Sequence, residues 1–385
     1  MIRLLVDMHS FDGKPEGITT YLQGLYSAAI HQAADKVHFF MCASDCEKLK
    51  DIFGEKENIT YLSIPHSGLV KRILWTYPRL IRQHQIDYAH FQYTIPFRCA
   101  CKRLVTIHDV FFEDFKEGYS WRYAKPRHFL FKYAARHAEF IFTMCDYSRS
   151  RIAFHYGIPA ERINLTPNAV SGKFSGEVAS STLDVKQKYG IDGDYILYLG
   201  RKEPRKNHAG LVSAYQASRL WEENIHLALV GGFSLPVPEL EVALLQLPPQ
   251  IRNKVHCIDS VEYSELCAWY RQAKAFVFPS LAEGFGIPPL EAAICRIPTL
   301  CSSMTSMSEF DFFGNRLVDP TNANVLSKGL REIVYSSDKE QLEQIARKVQ
   351  ERYSWEKSAG SLLEIIQRDY WQSKAVQAAN DFCGR

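Results

Sequence analysis

Short apolar runs alternate with longer segments of helical periodicity along nearly the whole chain. Each run has the length of a β-strand and ends at Gly, Pro or polar residues. This alternation is typical of βα units that feed parallel sheets covered by helices on both faces. The pattern therefore predicts an α/β protein. The predicted strands are Ile2 to Val6, Val37 to Cys42, Tyr88 to Phe91, Leu104 to Ile107, Phe140 to Thr143, Tyr195 to Leu199, His226 to Val230, Ala275 to Phe278 and Thr299 to Cys301.

The length of 385 residues suits two domains, each with its own core. Small and polar residues are concentrated between Pro167 and Asp194, a composition typical of a linker. We therefore expect an N-terminal domain over 1–175, a second domain over 176–354 and a final helix over 355–385. That helix carries an apolar stripe that must pack on another element.

Composition excludes several classes of protein. The chain is 46% hydrophobic and 23% charged, as in folded globular proteins, and its net charge of +3 is too small to indicate a nucleic-acid partner. Residues 1–10 lack the pattern of a leader peptide, and no apolar run has the ~20 residues that span a bilayer. The ten cysteines are never spaced as CxxC, so we expect reduced thiols in a cytoplasmic protein.

The strongest motif lies between Phe278 and Ala292 and contains Gly284-Phe285-Gly286-Ile287-Pro288-Pro289. A predicted strand ends at Phe278, the glycines permit a tight turn, and a proline suits the first turn of the helix that follows. A loop of this kind directs backbone amides at an anionic or oxygen-rich ligand. Glu283 on the loop and Glu291, expected in the first helical turn, each offer a carboxylate for ligand hydroxyl groups. Two glutamates at this spacing also occur by chance, so the motif alone does not decide the function.

Glu283 and Glu291 are separated by seven residues that include Gly-Phe-Gly and Pro, and this pattern resembles the motif of retaining GT-B glycosyltransferases of family four. Further elements similar to that family follow in the family's order, and the resemblance covers essentially the whole chain. The chain departs from the family where Glu16 and Ala169 replace common glycines. The similar elements are Glu16 to Tyr21, Thr106 to Asp109, Gly200 with Arg201, Arg205 to Asn207, Leu229 to Gly232 and Ser354 to Glu356.

This resemblance implies a GT-B fold, in which two Rossmann-like, doubly wound parallel-sheet domains face each other across a cleft. It also implies that the final helix returns to the N-terminal domain. The activity implied is transfer of a hexose from a nucleotide diphosphate sugar to an acceptor hydroxyl with retention at the anomeric carbon. The run Leu104 to Val110 is most similar to mannosyl-type members, so GDP-mannose is the first donor to expect, in surface polysaccharide assembly.

The resemblance also assigns residues to the donor. Arg201 and Lys206 follow a predicted strand at the ligand-binding edge of its sheet, where two cations can hold a diphosphate. Lys202 and Arg205 in the same run are open to a second interpretation as solvated surface charges. In this assignment Glu291 binds the ribose and Glu283 the donor sugar. The other donor contacts implied are Gly17, Gly200, Gly231, Phe285, Gly286 and Ile287.

His108 follows the predicted strand Leu104 to Ile107. The resemblance implies a place near the transferred sugar, although a histidine at a strand end is more often a satisfied polar group. Asp192-Gly193-Asp194 looks like the metal-binding DxD of another glycosyltransferase fold, but Asp and Gly are ordinary turn residues before a strand. We expect no metal and no cofactor other than the donor substrate, because Arg201, Lys206 and helix-start amides can neutralise the leaving group.

Two alternatives stay open at this point. A nucleotide-sugar 2-epimerase of the same architecture needs no acceptor, and a catalytically silent protein could bind the donor as a scaffold. A separate question concerns residues 69–82 and 115–137, where basic and aromatic side chains are interleaved. They indicate either helices with a core-facing aromatic stripe or a surface that rests on anionic lipid at the inner face of the cell membrane.

Overall fold

The computed structural model describes residues 1–13, 17–115, 119–175, 183–336 and 338–383. The chain forms two compact units. The N-terminal unit comprises Met1–Asn168 with Ser354–Arg385, and the C-terminal unit comprises Ala169–Tyr353. Each unit contains one parallel sheet flanked by helices, so the predicted fold of two Rossmann-like domains is confirmed.

The sheet of the N-terminal unit has seven strands in the order β3-β2-β1-β4-β5-β6-β7, and every neighbouring pair is parallel. The central strands are buried on both faces, which explains their nearly continuous apolar sequences. The strands are β1 (Ile2–Asp7), β2 (Val37–Ala43), β3 (Ile59–Ser63), β4 (Tyr88–Gln92), β5 (Lys102–Thr106), β6 (Phe140–Thr143) and β7 (Ile163–Leu165).

The helices of this unit lie between the strands, and several of them are short. A π-helical turn, Arg72–Thr76, joins the third helix to the fourth, and short 3-10 turns span His9–Asp12 and Ala160–Arg162. The helices are α1 (Gly17–Gln32), α2 (Cys46–Phe53), α3 (Leu69–Lys71), α4 (Tyr77–Gln83), α5 (Phe111–Asp114), α6 (Trp121–His137) and α7 (Asp146–Tyr156).

The sheet of the C-terminal unit has six strands in the order β10-β9-β8-β11-β12-β13, again all parallel. Short 3-10 turns include Pro204–Lys206 and Thr305–Glu309. The strands are β8 (Asp194–Leu199), β9 (Ile225–Val230), β10 (Val255–Ile258), β11 (Ala275–Phe278), β12 (Thr299–Ser302) and β13 (Leu317–Val318). The helices are α8 (Gly172–Ser175), α9 (Val185–Tyr189), α10 (His208–Ser218), α11 (Pro238–Leu245), α12 (Pro249–Arg252), α13 (Leu266–Gln272), α14 (Ile287–Ile294), α15 (Ala323–Val334) and α16 (Lys339–Arg352).

Strand order reverses once in each sheet, between β1 and β4 and between β8 and β11. At such a point the two connections leave in opposite directions and open a crevice at the carboxyl ends of the strands, where α/β proteins bind ligands. The fold therefore marks one candidate ligand edge in each unit.

The last helix, α17 (Trp355–Cys383), packs on α1 in the N-terminal unit. Its first residue lies directly over Gly24, where an added Cβ would come within 2.1 Å of the Trp355 ring. Only glycine therefore lets the indole rest on α1. The units divide at Asn168 and Ala169, ahead of the residue 175 proposed above, because Phe174 is buried against Tyr270 of the C-terminal unit.

No helix in the described part of the chain combines the length and the apolar character needed to cross a bilayer.

Candidate functional site

The loops after β8 and β9 are in close contact at the ligand edge of the C-terminal sheet. Gly231 adopts a φ of 134°, and an added Cβ would lie 2.2 Å from the carbonyl oxygen of Gly200. The amide of Gly200 in turn donates to the carbonyl of Val230 at 2.9 Å. A side chain at position 231 would therefore separate the two strand ends. The packing of the two loops thus requires glycine at this position, independently of any ligand.

A cluster of charged side chains joins the loops after β8 and β11. The Lys206 ammonium and the Arg205 guanidinium both donate to the carboxylate of Glu283, the arginine at 2.9 Å. Glu283 and Lys206 are only 7% and 8% exposed. Burial disfavours the charged carboxylate, but the two cations outweigh it and hold the pKa of Glu283 below its usual value. Glu283 is thus a fixed anion with two cations against it.

Arg205 was open to interpretation as a solvated charge, and the structure excludes that interpretation. Its guanidinium also donates to the carbonyl of Ala282 at 2.8 Å and forms an ion pair with Glu203 at 2.9 Å. Its own carbonyl accepts from the amide of Leu281 at 2.8 Å. Arg205 therefore holds the two loops together and belongs to the charged cluster.

Lys202 is not solvated either. Its side chain is 1% exposed, its ammonium lies 3.0 Å from the carboxylate of Asp259, and it sits 4.9 Å from the ring centroid of Phe233. Arg201, by contrast, is exposed directly after β8 and Gly200. Within the predicted phosphate clamp, Arg201 is thus the accessible cation and Lys206 the buried one.

The 3-10 turn Thr305–Glu309 holds the loop that carries Glu283 in place. The buried hydroxyl of Ser306 donates to the carbonyls of Glu283 and Phe285, at 2.7 and 3.0 Å. The amide of Glu283 donates to the Thr305 hydroxyl at 3.0 Å. Gly286 has a φ of 96° and packs on Met307. These contacts set the loop geometry before any ligand binds.

Helix α14 begins at Ile287, and the two prolines lie in its first turn as predicted. The same prolines reduce the number of backbone N–H groups that the start of the helix can offer to a ligand. Pro288 and Pro289 have no N–H, so two amides of the first turn are lost. In the described residues, no acceptor takes the amides of Gly286 and Ile287. The predicted anion contact at this helix start is therefore restricted to the loop amides ahead of Pro288.

Glu291 is the fifth residue of α14, at the start of the second turn and just beyond the first-turn position expected from the sequence. Its carboxylate accepts a hydrogen bond from the Tyr270 hydroxyl at 2.7 Å. Burial raises the pKa of Glu291 to about 7, against the opposing effect of that hydrogen bond. Glu291 and Glu283 therefore differ in charge state near neutral pH.

Asp192 and Asp194 lie at the amino end of β8, the edge opposite to Arg201. Asp194 pairs with Lys186 at 2.8 Å and Lys274 at 3.0 Å, and Asp192 contacts His226 at 2.8 Å. These contacts stabilise the turn before β8. They give both carboxylates a structural role away from the charged cluster.

His108 lies in the N-terminal unit and is 4% exposed. Its Nε2 is 2.8 Å from Oε1 of Gln92, and its Nδ1 is 3.3 Å from the sulfur of Met144. Burial lowers the pKa of His108 to about 3, so the ring is neutral at physiological pH. The sugar-facing role expected from the resemblance stays a prediction for this buried ring.

Gly17 is the exposed first residue of α1, with open space around an added Cβ. Nothing in the described structure requires glycine there, so its proposed role as a donor contact depends on a ligand. Glu16, which departs from the family pattern, lies outside the described residues.

Each of the two units matches a family of known proteins. Residues 15–172 match the sequence model of Glycosyltransferase Family 4, and residues 182–352 match that of Glycosyl transferases group 1. The chain belongs to the GT-B glycosyltransferases.

Relatives of this glycosyltransferase include two bacterial proteins of O-antigen synthesis. It is 32% identical over 191 residues to O-antigen chain mannosyltransferase B of Escherichia coli, covering 49% of this chain and 50% of that protein. It is 26% identical over 229 residues to O-antigen chain mannosyltransferase RfbU of Salmonella typhimurium, covering 60% of each. The chain thus spans roughly half the length of the curated relatives it matches.

The fold of this glycosyltransferase is similar to that of sucrose-phosphate synthase from Thermosynechococcus elongatus. The TM-score is 0.75 at 18% sequence identity, over 97% of this chain and all of that one. At this identity the likeness concerns the fold alone.

Three residues of the glycosyltransferase's charged edge escaped the sequence analysis as site residues. Arg205 lies in the predicted clamp, and its position one residue before Lys206 is the sequence feature that could have identified it as a site residue. Tyr270 and Ser306 are far from the motif in sequence and gave no signal, because their contacts with Glu291 and the Glu283 loop depend on tertiary packing.

Proposed function

We propose that this glycosyltransferase moves a hexose, first of all mannose from GDP-mannose, to a saccharide or lipid-linked saccharide acceptor in surface polysaccharide assembly. The observation that carries the proposal is the cluster of Lys206, Arg205 and Glu283 at the ligand edge of the C-terminal sheet, with Arg201 exposed beside it. The names of the O-antigen mannosyltransferases support the choice of sugar and acceptor class.

In this proposal the donor's diphosphate binds Arg201 and Lys206. An ammonium has three N–H donors, so Lys206 can keep its bond to Glu283 and still donate to a phosphate oxygen. Loop amides at Phe285, Gly286 and Ile287 add neutral donors. Because negative charge grows on the diphosphate as the glycosidic bond breaks, these fixed donors stabilise the transition state more than the ground state.

Glu283 is assigned to hydroxyls of the donor sugar and Glu291 to the ribose. Glu283 stays ionised beside its two cations and accepts hydrogen bonds only. Glu291, with its pKa of about 7, gains its charge just in the physiological range. This difference predicts that the contact of Glu283 with the sugar does not change with pH near neutrality, whereas the contact of Glu291 with the nucleotide does.

The transfer itself is proposed to proceed by front-face displacement with retention. The acceptor hydroxyl oxygen bonds to the anomeric carbon while the bond from that carbon to the phosphate oxygen breaks. The electron pair stays on the phosphate oxygen, which takes the acceptor's proton. Glu283 and Glu203, the carboxylates of the described cluster, are both paired with cations, and neither is assigned as a nucleophile in the manner of a retaining hydrolase, so phosphate is the proposed proton acceptor.

Two alternatives differ in their products. A 2-epimerase would convert the nucleotide sugar without an acceptor, and a silent scaffold would bind it without turnover. Incubating the protein with a panel of nucleotide sugars, with and without lipid-linked saccharides, separates all three. Acceptor-dependent release of GDP and an α-linked product, read from the anomeric coupling by NMR, would support the proposal. An isomerised donor, or binding without turnover, would overturn it.

We further propose that the N-terminal unit rests on anionic lipid through residues 69–82 and 115–137, which would place a cytoplasmic enzyme at the inner face of the membrane. Trp121 and Phe129 on α6 are 69% and 61% exposed, and Trp75 is 62% exposed. Ile73, which lies within the first of these ranges, is buried. Lys116 and Glu117 lie outside the described residues.

A further inference from the structure

The connection between β4 and β5 brings two cysteine thiols into contact. Cys99 and Cys101 are both partly exposed, and the Cys101 thiol points at the Cys99 sulfur from 3.7 Å. Residues two apart in sequence have Cα atoms at most roughly 7 Å apart, close to the range that a disulfide bridges. Rotation about the side-chain bonds can therefore close this contact to a covalent bond.

The fold keeps the two thiols together. Residues 93–101 join two parallel strands without an intervening helix, and β5 begins directly after the pair. The Arg103 guanidinium donates to the carbonyl of Pro96 at 3.4 Å, and the Tyr133 hydroxyl donates to the carbonyl of Phe97 at 3.0 Å. Because the chain is held on both sides of the pair, neither thiol has to be brought in from elsewhere.

The two thiols differ in acidity. A hydrogen bond from the Cys101 thiol, together with the charge of Arg103, outweighs burial and lowers the pKa of Cys99 to about 7. That same hydrogen bond and burial raise the pKa of Cys101. Burial likewise raises the pKa of Cys42 and Cys295. Since the thiolate is the nucleophilic form, Cys99 is the residue prepared to react.

We propose that Cys99 and Cys101 form a reversible thiol-oxidation site whose oxidant is a small-molecule disulfide. The inference is independent of the proposed glycosyl transfer. In the first step the Cys99 thiolate attacks one sulfur of the small disulfide. The bond between the two small-molecule sulfurs breaks, one of them leaves as a thiolate, and Cys99 carries a mixed disulfide.

The second step closes the pair. Once Cys99 has spent its charge, the hydrogen bond that held the proton on Cys101 is lost. Cys101 gives up that proton, its sulfur attacks the Cys99 sulfur, and the second small thiolate leaves. The two cysteines lose two electrons, and the small disulfide becomes two thiols that take up the protons of both cysteines. Excess small thiol reverses both steps, so a reducing compartment keeps the reduced state expected from the sequence.

The first test uses the reduced wild-type protein in an excess of oxidised glutathione at neutral pH, followed by acid and N-ethylmaleimide. Trypsin cleaves after Arg98 and Lys102, so residues 99–102 leave as one peptide. We expect this peptide to be two hydrogen atoms lighter and to carry no maleimide, and reduced glutathione should restore two maleimide groups. Cys267, a partly exposed thiol whose pKa is raised by burial, should stay alkylated as the internal control. A 99–102 peptide that still carried two maleimide groups would overturn the site.

Single variants test the order of the two steps. Cys101→Ser keeps a hydrogen-bond donor beside Cys99 and should stop at one glutathione on Cys99. Cys99→Ser should react at least about tenfold more slowly, because burial and Glu139 still raise the pKa of Cys101. Thermal unfolding checks that both variants fold, and the difference in rate should vanish in urea. Equal rates in the folded variants, or a difference that persisted in urea, would overturn the assignment of Cys99 as the nucleophile.

Discussion

Lys206 donates a hydrogen bond to Glu283, so that a cation at the end of β8 and a carboxylate at the end of β11 form one buried ion pair. The two residues are far apart in sequence and flank the point where strand order reverses. A ligand at this edge therefore meets charges that are already oriented and need no reorganisation.

Removing Lys206 should affect folding as well as turnover. Lys206→Ala leaves the buried carboxylate of Glu283 with Arg205 as its remaining cation, and breaking a buried pair costs about 3 kcal/mol, or roughly 6 to 12 °C in Tm. The double variant Lys206→Met with Glu283→Gln should recover most of that stability and stay inactive. Thermal unfolding and donor turnover measured on the wild type and both variants test this. A stable Lys206→Ala protein with normal turnover would contradict both the pairing and its proposed role.

Arg201 should behave differently, because its side chain is exposed. Arg201→Ala should fold normally and slow turnover by about 30- to 1000-fold, since one charge-assisted contact to the leaving diphosphate is lost. Arg219→Ala, which removes an exposed arginine after α10, is the control. If turnover in saturating donor matched the control, Arg201 would not bind the diphosphate.

Glu291 predicts a pH dependence of donor binding. Its carboxyl group is protonated in the folded protein below its pKa of about 7 and ionised above it. An ionised carboxylate accepts hydrogen bonds from ribose hydroxyls more strongly, so affinity for GDP-mannose should rise between pH 6 and pH 8. The diphosphate diester of the donor has no proton to lose in this range.

The same shift affects stability with the opposite sign. The folded state keeps a proton on Glu291 that the unfolded chain has lost above pH 4.5, so this contribution to stability falls as pH rises through 7. Glu291→Gln should remove both dependences. Calorimetric titrations of donor and thermal unfolding at each pH give the two readouts. A dependence that persisted in Glu291→Gln would have to come from another group.

Glu291→Ala should raise donor KM, whereas Glu283→Ala should act mainly on turnover.

The strands that the sequence did not predict are β3, β7, β10 and β13, and these are the four edge strands of the two sheets. Central strands are buried on both faces and have continuous apolar sequences, whereas each edge strand has partly exposed positions that break the pattern. The sequence therefore predicted the centre of each sheet, which is where its candidate ligand edge lies.

The candidate site was predictable only in part, for a related reason. Glu283, Glu291 and Lys206 follow predicted strands and belong to recognisable motifs. The contacts of Tyr270 and Ser306 have no such motif, because they depend on tertiary packing. The burial that raises the pKa of Glu291 likewise arises from packing around α14.

Activity should persist in excess EDTA. Asp192 and Asp194 pair with His226, Lys186 and Lys274 at the amino end of β8. The strand places them roughly 16 Å from Leu199, after which the proposed clamp begins. Asp192→Asn with Asp194→Asn should likewise retain turnover. Complete loss of activity in EDTA, restored by manganese or magnesium, would contradict the proposed cationic clamp.

The last prediction concerns the lipid surface. Arg122, Lys125 and Arg127 are exposed on α6 beside Trp121, and Arg127 stacks on Tyr123 at 3.6 Å from the ring centroid. Each cation near an anionic surface contributes about 1 kcal/mol, so replacing all three by Ser should weaken vesicle binding by roughly 100-fold. We expect sedimentation with vesicles containing phosphatidylglycerol at low salt and release at high salt, which screens the charges. Removing three exposed cations of the C-terminal unit, Lys328, Arg347 and Lys348, provides a control with the same loss of charge and should leave binding intact. Equal losses in the two triple variants would indicate a nonspecific charge effect, and no sedimentation of the wild type at any ionic strength would indicate an acceptor in solution.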